Sequence, residues 1–418
     1  MTPKMSALKG KTIVVGVSGG IAAYKAAELV RLLSARGACI KVMMTRNAQE
    51  FITPLTLQTL SGNPVATETF NLTQESEIGH IRLADGADLI VIAPATADLI
   101  ARAAVGIADD IVTTVLLAAR CPVAFAPAMN VNMYGHATVT ENLARLSARG
   151  IRIIDPEEGS LACGWEGKGR LCDPAAIVEE LERMASPADL AGEKILVTAG
   201  PTQEAIDPVR FVSNRSSGKM GYALARAAWR RGAEVRMVAG PSSLSTPRGV
   251  ERIDTISAAQ MLEATARNFP WCSALIMAAA VADFRPATVA PHKVKKRSQS
   301  MRLDLAPIED EMPRLAAQKG NRLLIGFAAE TQDTEDNAQG KLKAKGLDLI
   351  VANDVTKEGA GFSVDTNIVT IIDSDGSRQP YPQMSKDEVA NVILDRLAAL
   401  RKPAAPKPGA LHAVRRSG

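Results

Sequence analysis

The strongest constraint on the fold is a short pattern that occurs twice. Thr12 to Val17 is an apolar run that leads into Ser18-Gly19-Gly20-Ile21, and Ile195-Leu196-Val197-Thr198 leads into Ala199-Gly200-Pro201-Thr202. The second start continues to Ser213-Asn214-Arg215-Ser216-Ser217-Gly218-Lys219-Met220-Gly221 and a helical stretch from Tyr222 to Arg231. A strand, a small-residue loop and a helix start present backbone N–H groups and a positive helix end to an anion. Two such starts predict two doubly wound (Rossmann/flavodoxin-like) parallel-sheet domains in tandem, each handling a nucleotide.

The intervening pattern agrees. Apolar runs recur at Ile40 to Met44, Leu89 to Ala93, Val123 to Ala126 and Ile151 to Ile154, separated by helical patterns such as Ile21 to Ala35, Ile111 to Ala118 and Val139 to Arg149. Continuous apolar strands alternating with helices imply a parallel sheet covered on both faces, with ligands at the carboxyl ends of its strands. The candidate loops are therefore Ser18-Gly19-Gly20-Ile21, Thr45-Arg46, Pro94-Ala95-Thr96 and Pro127-Ala128-Met129-Asn130. Any one of them reads equally as a tight turn, and four at corresponding strand ends favour a bound nucleotide. His80 is either a structural or solvated histidine or a catalytic one, and Cys163, in a loop with three glycines from Gly164 to Gly169, is either a surface thiol or part of a functional flap.

With 46% apolar and only 4% aromatic residues, the chain suits Ala, Val, Ile and Leu packing between sheet and helices rather than a β-sandwich. A net charge of +4 over 418 residues argues for neither nucleic acid nor membrane. Five cysteines without metal-type spacing read as thiols in a reducing compartment. No run approaches membrane-span or signal-peptide form, so a cytoplasmic protein is expected.

Gly79-His80, Pro127-Ala128-Met129-Asn130-Val131-Asn132-Met133 and Ala162-Cys163-Gly164, in that order, resemble the flavin-dependent cysteine decarboxylases, and phosphopantothenoylcysteine decarboxylases best. The family motif often ends Met-Trp, whereas Tyr134 follows Met133 here. The resemblance implies FMN as a temporary electron acceptor, its phosphate on Ser18, Gly19, Gly20 and Ile21, with Thr45 and Pro94, Ala95 and Thr96 nearby. It further implies that His80 assists oxidation of the substrate thiol to a thioaldehyde, that Asn130 holds the carboxylate lost as CO2, and that Cys163 supplies a proton when the enethiol is reduced.

The helical pattern of Ile177 to Met184 breaks at Ala185-Ser186-Pro187-Ala188-Asp189, so domains are expected at 1–188 and 189–400. Apolar runs continue at Val235 to Val238, Ala274 to Ala280, Leu323 to Phe327, Leu349 to Ala352 and Ile368 to Ile372, with helical patterns at Ala258 to Arg267 and Lys386 to Leu400. The Gly218 to Gly221 loop lacks full dinucleotide spacing, and the second strand ends in Ala239-Gly240-Pro241 rather than an acid, which argues against a nicotinamide cofactor. The basic run Lys293-Val294-Lys295-Lys296-Arg297 is a solvated loop or a partner for a triphosphate; it lacks the interleaved aromatics of a nucleic-acid platform.

Asn214 with Ser216 to Gly221, Ala279 to Asp283, Lys293 to Lys296, Gly326-Phe327-Ala328-Ala329-Glu330-Thr331 and Ala352-Asn353-Asp354 resemble the phosphopantothenate-cysteine ligases. Both halves in this order resemble the bacterial bifunctional enzymes of coenzyme A biosynthesis. The resemblance implies CTP as cosubstrate with Mg2+, an acyl-cytidylate formed with the help of Lys293, and Asn214 and Arg210 in the site that holds it. Met277, Ala278, Ala279, Asp283, Asp310, Phe327, Lys341 and Lys345 match the nucleotide pocket. Where relatives often show Lys-Asn-Pro-Asp-Ile, this chain reads Pro307-Ile308-Glu309-Asp310-Glu311.

The expected partners are thus the small molecules 4'-phosphopantothenate, cysteine and CTP, with no nucleic acid and no membrane. Trimeric decarboxylase halves and dimeric ligase halves in the family imply a homo-oligomer that closes as a dodecamer. The tail 401–418, rich in proline, alanine and basic residues, is expected to be disordered. The alternatives are a decarboxylase fused to a ligase of altered specificity, and a non-catalytic flavoprotein regulator.

Overall fold

The computed structural model describes residues 6–69, 79–160, 164–295, 302–309, 312–330, 332, 334–354, 356–357, 359, 361 and 364–401. The expectations for Cys163, Asp310, Lys296, Arg297 and the tail from residue 402 lie outside the described residues. The chain divides into two compact units at Pro187/Ala188.

In the first unit six parallel strands, β1 (Thr12–Val17), β2 (Cys39–Met44), β3 (Val65–Ala66), β4 (Leu89–Ala95), β5 (Val123–Pro127) and β6 (Arg152–Ile153), lie in the order β3-β2-β1-β4-β5-β6. The order reverses between β1 and β4, which is the crevice where open α/β sheets bind ligands. Strand alternation explains the two-sided core. Ile13, Val15 and Val17 face the helices Lys25–Ala35 and Pro174–Ala185, whereas Val14 faces the helices Ala97–Val105, Ile111–Ala118 and Ala137–Ala148. Every one of these residues is buried on its face, which is why the strand reads as an uninterrupted apolar run. Ile21–Tyr24 forms a 3-10 turn ahead of Lys25–Ala35, so the expected helix begins with a tighter coil. An antiparallel hairpin, β7 (Glu157–Ser160) and β8 (Glu166–Arg170), was not legible as strands because its glycines and charges carry no apolar period.

The second unit repeats the arrangement. Its strands are β9 (Lys194–Ala199), β10 (Gln203–Ala205), β11 (Phe211–Ser213), β12 (Glu234–Ala239), β13 (Val250–Asp254), β14 (Ala274–Met277), β15 (Phe284–Pro286), β16 (Leu305–Pro307), β17 (Leu323–Glu330), β18 (Leu349–Asp354), β19 (Thr366–Asn367), β20 (Val369–Asp373), β21 (Arg378–Pro380) and β22 (Met384–Ser385). The main sheet runs β13-β12-β9-β14-β17-β18-β20-β21, with its reversal between β9 and β14. Strands β13 to β18 are parallel, but β20 and β21 join antiparallel, so the expected all-parallel sheet has a mixed edge. For β20 and β21 the cause is the connection: parallel neighbours need a long crossover, usually a helix, and only the turn 374–377 separates these two strands. Ile195, Val197 and Ala199 pack on the helices Lys219–Arg230 and Lys386–Arg401; Leu196 joins the opposite core with Val238, Leu275 and Met261. The apolar run Ala274 to Ala280 leaves the sheet after Met277, so its last residues become a loop at the crevice. No helix among the described residues is long and apolar enough to cross a membrane.

Candidate functional site

Each sheet reversal opens into a cavity. In the first unit the loop after β1 is fastened to the end of β4 through Ser18: its buried Oγ donates to the Pro94 carbonyl at 2.8 Å and accepts from the Thr96 N–H at 2.9 Å, and its N–H donates to the same carbonyl at 3.3 Å. The single hydroxyl proton is therefore committed to the scaffold, and Ser18 shapes the loop rather than donating through that hydroxyl to a ligand. Thr96 Oγ1 accepts from the Leu99 N–H at 3.4 Å and caps Ala97–Val105; Thr45 Oγ1 caps the short turn Arg46–Glu50 through the Ala48 N–H at 3.3 Å. The cavity they border has a volume of about 850 Å³.

Ser18, Gly19, Gly20, Ile21, Thr45, Thr96 and Asn130 all line it. Pro94 and Ala95 do not; both are buried at the end of β4, and Pro94 contributes only the carbonyl that holds Ser18. Asn130 Oδ1 accepts from the Asn132 N–H at 2.8 Å, capping the turn Val131–Tyr134. Strand β8 lies against this turn: the Met129 N–H donates to the Gly169 carbonyl at 3.0 Å, and a Cβ on Gly169 would fall 2.4 Å from the Met129 oxygen, so only glycine permits the approach. His80 is half-buried in the helix Gly79–Asp85 and is not on the wall of this cavity.

Sequence reasoning passed over three parts of this wall. Arg102 is held by Asp98 at 3.0 Å and by Asp109 at 2.6 Å, carboxylates that raise its pKa further above the ordinary value. Asp110 caps Ile111–Ala118 in a reciprocal box with Thr113, and Asn47 touches the Gly19 position. The spacing of Asp98 to Arg102 and of Asp110 to Thr113 was the available signal. Beside the cavity, the Tyr134 hydroxyl donates to Asp155 at 3.3 Å, and Lys168 of β8 stands 3.3 Å from Asp155 and 5.6 Å over the Tyr134 ring. Burial, helped by the Asp155 charge, pushes the Tyr134 phenol up to about 12.

The second cavity, of about 640 Å³, lies at the corresponding end of the second sheet. It brings together Asn214, Met277, Ala278, Ala279, Asp283, Phe327, Lys341 and Lys345. Asn214 Nδ2 donates to the Ala280 and Val281 carbonyls at 3.2 and 3.0 Å, which fixes the amide across the crevice. Ala278 and Ala279 donate their N–H groups to Thr198, at 3.2 Å to its carbonyl and 3.3 Å to its hydroxyl. Lys341 Nζ meets Glu330 at 2.6 Å. Gly218, at φ +80°, adopts the left-handed conformation that starts Lys219–Arg230 without a side-chain cap.

Two further wall residues, Asn367 and Lys386, were missed, and Asn353 of the Ala352-Asn353-Asp354 motif joins them. The side-chain oxygens of buried Asn353 and Asn367 have no hydrogen-bond partner among the described residues, and Lys386 Nζ donates to the Gly361 and Val364 carbonyls at 3.1 and 2.5 Å. Burial, and then the like charge of Lys219, pushes the Lys386 pKa down. Asn353 stood in a quoted motif; nothing local to Asn367 or Lys386 distinguishes them from other polar residues. Arg210 and Lys293, by contrast, are absent from this wall. Arg210 is forked on Asp207, and Lys293 is exposed in the segment that Arg210 touches.

Fold and cavities together define a tandem α/β protein with a ligand-sized cavity at each sheet reversal. Residues 1–186 match the family model described as Flavoprotein, and residues 190–400 the one described as DNA/pantothenate metabolism flavoprotein C-terminal domain. The Coenzyme A biosynthesis bifunctional protein CoaBC of Bacillus subtilis (strain 168) is 51% identical over 399 residues, covering 94% of this chain and 98% of that one. The protein of the same name from Escherichia coli (strain K12) is 47% identical over 395 residues, covering 93% and 97%. A solved structure, the C-terminal domain of Coenzyme A biosynthesis bifunctional protein CoaBC, is 42% identical with a TM-score of 0.44, covering 51% of this chain and 97% of that one. The chain belongs to the family of coenzyme A biosynthesis bifunctional proteins.

Proposed function

We propose that the unit formed by residues 189–400 joins cysteine to 4'-phosphopantothenate with CTP, and that the unit formed by residues 1–188 decarboxylates the 4'-phosphopantothenoylcysteine to 4'-phosphopantetheine with FMN. The observation that carries this reading is the pair of reversal-point cavities in one chain whose relatives are bifunctional over nearly the same length.

The first cavity fits FMN in size and chemistry. Its volume lies in the range of small-molecule sites, and the helical run that begins at Ile21 leaves N–H groups of its first turn without intrahelical acceptors, a donor set suited to a phosphate. Gly19, Gly20 and Ile21 are the residues assigned to it, with Thr45 and Thr96 at the cavity edge. FMN supplies a reversible two-electron acceptor for the substrate thiol, so the overall decarboxylation involves no net redox change. Asn130 is assigned to the substrate carboxylate, whose C–C bond breaks to release CO2 and leave an electron pair on the adjacent carbon. His80, although off the wall of this cavity, is assigned by the family resemblance to assist at the thiol, and Cys163 to donate the proton that completes the product.

In the second unit a carboxylate oxygen of phosphopantothenate attacks the α-phosphorus of CTP, and the bond to the bridging oxygen breaks to release pyrophosphate. The amine of cysteine then attacks the acyl carbon, loses a proton and displaces CMP. Lys341 and Lys345 offset phosphate charge, Lys293 acts in the first transfer, and Asn214 and Arg210 hold the acyl-cytidylate. Met277, Ala278, Ala279, Asp283, Asp310 and Phe327 surround the nucleotide, and Mg2+ enters with the triphosphate. The homo-oligomer that the family resemblance implies has the dodecamer as its closed form.

The test is mass spectrometry of products after incubating the full chain with FMN, phosphopantothenate, cysteine, Mg2+ and either CTP or ATP. Phosphopantetheine with stoichiometric CMP is expected. Phosphopantothenoylcysteine alone would remove the decarboxylase assignment, and equal turnover with ATP would remove the CTP preference.

A further inference from the structure

One carboxylate fastens the turn between β10 and β11 to the segment that carries Lys293. The Asp207 side chain is fully buried. Its Oδ1 accepts from the N–H groups of Val209 and Arg210 at 2.8 and 2.9 Å. Its Oδ2 accepts from Arg210 Nε at 3.1 Å, Arg210 Nη2 at 2.5 Å and the Val294 N–H at 3.1 Å. Arg210 Nη2 also donates to the Val294 carbonyl at 2.8 Å, and the Ala290 N–H donates to the Ile206 carbonyl at 3.0 Å. Val294 is thus held through both its N–H and its carbonyl, one residue after Lys293. The Arg210 guanidinium, with the backbone donors, keeps the Asp207 carboxyl well below the usual carboxylate range.

We propose that Asp207 is a positioning residue of the ligase site that locks Arg210 and the Lys293-bearing segment into one unit. The proposal rests on the ligase reading above. Neither Arg210 nor Lys293 lines the second cavity, so whatever brings one of them to the substrates brings the other in fixed register. Two long cationic side chains on separate loops would each have to be ordered independently at the reacting phosphate.

The substitution Asp207→Asn in the full chain keeps the shape and one acceptor but turns an NH2 group toward donors that now face Oδ2. Pyrophosphate release dependent on CTP and phosphopantothenate is expected to fall about tenfold to a hundredfold, the range a small misplacement of catalytic groups produces. CTP affinity by equilibrium binding stays within about twofold, because the cavity wall is untouched. Trypsin cleavage after Lys293 or Lys295 accelerates while the rest of the chain keeps its resistance. Arg210→Lys, which retains charge but loses the fork, gives the same pattern and serves if Asp207→Asn does not fold. Unchanged cleavage at Lys293 and Lys295, unchanged pyrophosphate release, or a uniform rise in cleavage along the chain overturns the proposal. Absence of CTP- and phosphopantothenate-dependent pyrophosphate release from the unsubstituted chain would instead sink the ligase reading, Lys293→Ala with normal release would remove Lys293 from the mechanism, and the cleavage result would still report on the clamp.

Discussion

The two sheet reversals are built on one strand order and lined by different chemistry. At the first, Ser18 joins the β1 and β4 loops with a neutral hydroxyl, and the cavity wall sets glycine, threonine and amide groups beside Lys25, Arg46, Arg102 and Arg170 and the carboxylates Asp98 and Asp110. At the second, Thr198 and Asn214 perform the joining, and Lys219, Lys341, Lys345 and Lys386 stand around the crevice. A shared topology positions a site but leaves its ligand to the loops. A wall whose cations are partly offset by carboxylates, as Arg102 is by Asp98, suits one phosphate on a flat cofactor, whereas several lysines suit a triphosphate whose charge grows as pyrophosphate leaves.

The comparison can be broken by perturbing one unit and reading both. Cys163→Ser is expected to abolish phosphopantetheine formation and accumulate an oxidised, decarboxylated product, with normal release of CMP; normal phosphopantetheine yield would remove Cys163 as the proton donor. Leu196→Ala opens a hole beside Val238 and Leu275 and should cost the second unit about 2–5 kcal/mol in denaturant unfolding, leaving flavin absorbance unchanged. Ser18→Ala leaves the Thr96 N–H without its acceptor and should cost about 1–3 kcal/mol, read as weaker retention of FMN with ligase activity intact.

The smallest effects are in pH dependence, and they have opposite signs. The Tyr134 phenol is raised, so its contribution to the first unit is complete below about 10, the ordinary tyrosine value, and is lost as pH rises through about 12. The Asp207 carboxyl is depressed, so its contribution to the second unit is complete above about 4, the ordinary carboxylate value, and is lost as pH falls through its lower folded value. Thermal unfolding of Tyr134→Phe and Asp207→Asn against pH should remove the alkaline and the acid limb respectively. A variant that removes neither limb would show that these groups titrate as they do in the unfolded chain.

The first cavity was more legible in the sequence than the second. Gly19, Gly20, Ile21, Thr45, Thr96 and Asn130 sit at strand ends that apolar periodicity marks, and all six reach one wall. Pro94 and Ala95 were drawn in by the same loop logic, yet a residue at the last step of a buried strand points into the core. In the second unit Arg210 and Lys293 are polar residues on short hairpins and connections, where no periodicity says which way a side chain turns. Asn367 and Lys386 are brought to the wall by β19 and the helix that follows β22, far along the chain from β9 and β14.

What the sequence determined by itself is the tandem of two α/β units, the central strands of each sheet and the loops at their carboxyl ends, because burial on both faces writes each such strand as a continuous apolar run, whereas the edge strands β3, β13 and β21 are partly exposed and carry no such run. Tertiary structure alone decided the antiparallel edge of the second sheet, the seating of β8 on the Asn130 turn, the retreat of Arg210 and Lys293 from the cavity and their attachment to Asp207. Those outcomes depend on hydrogen bonds between residues distant in the chain, and a polar side chain carries no sequence mark of the partner that will hold it.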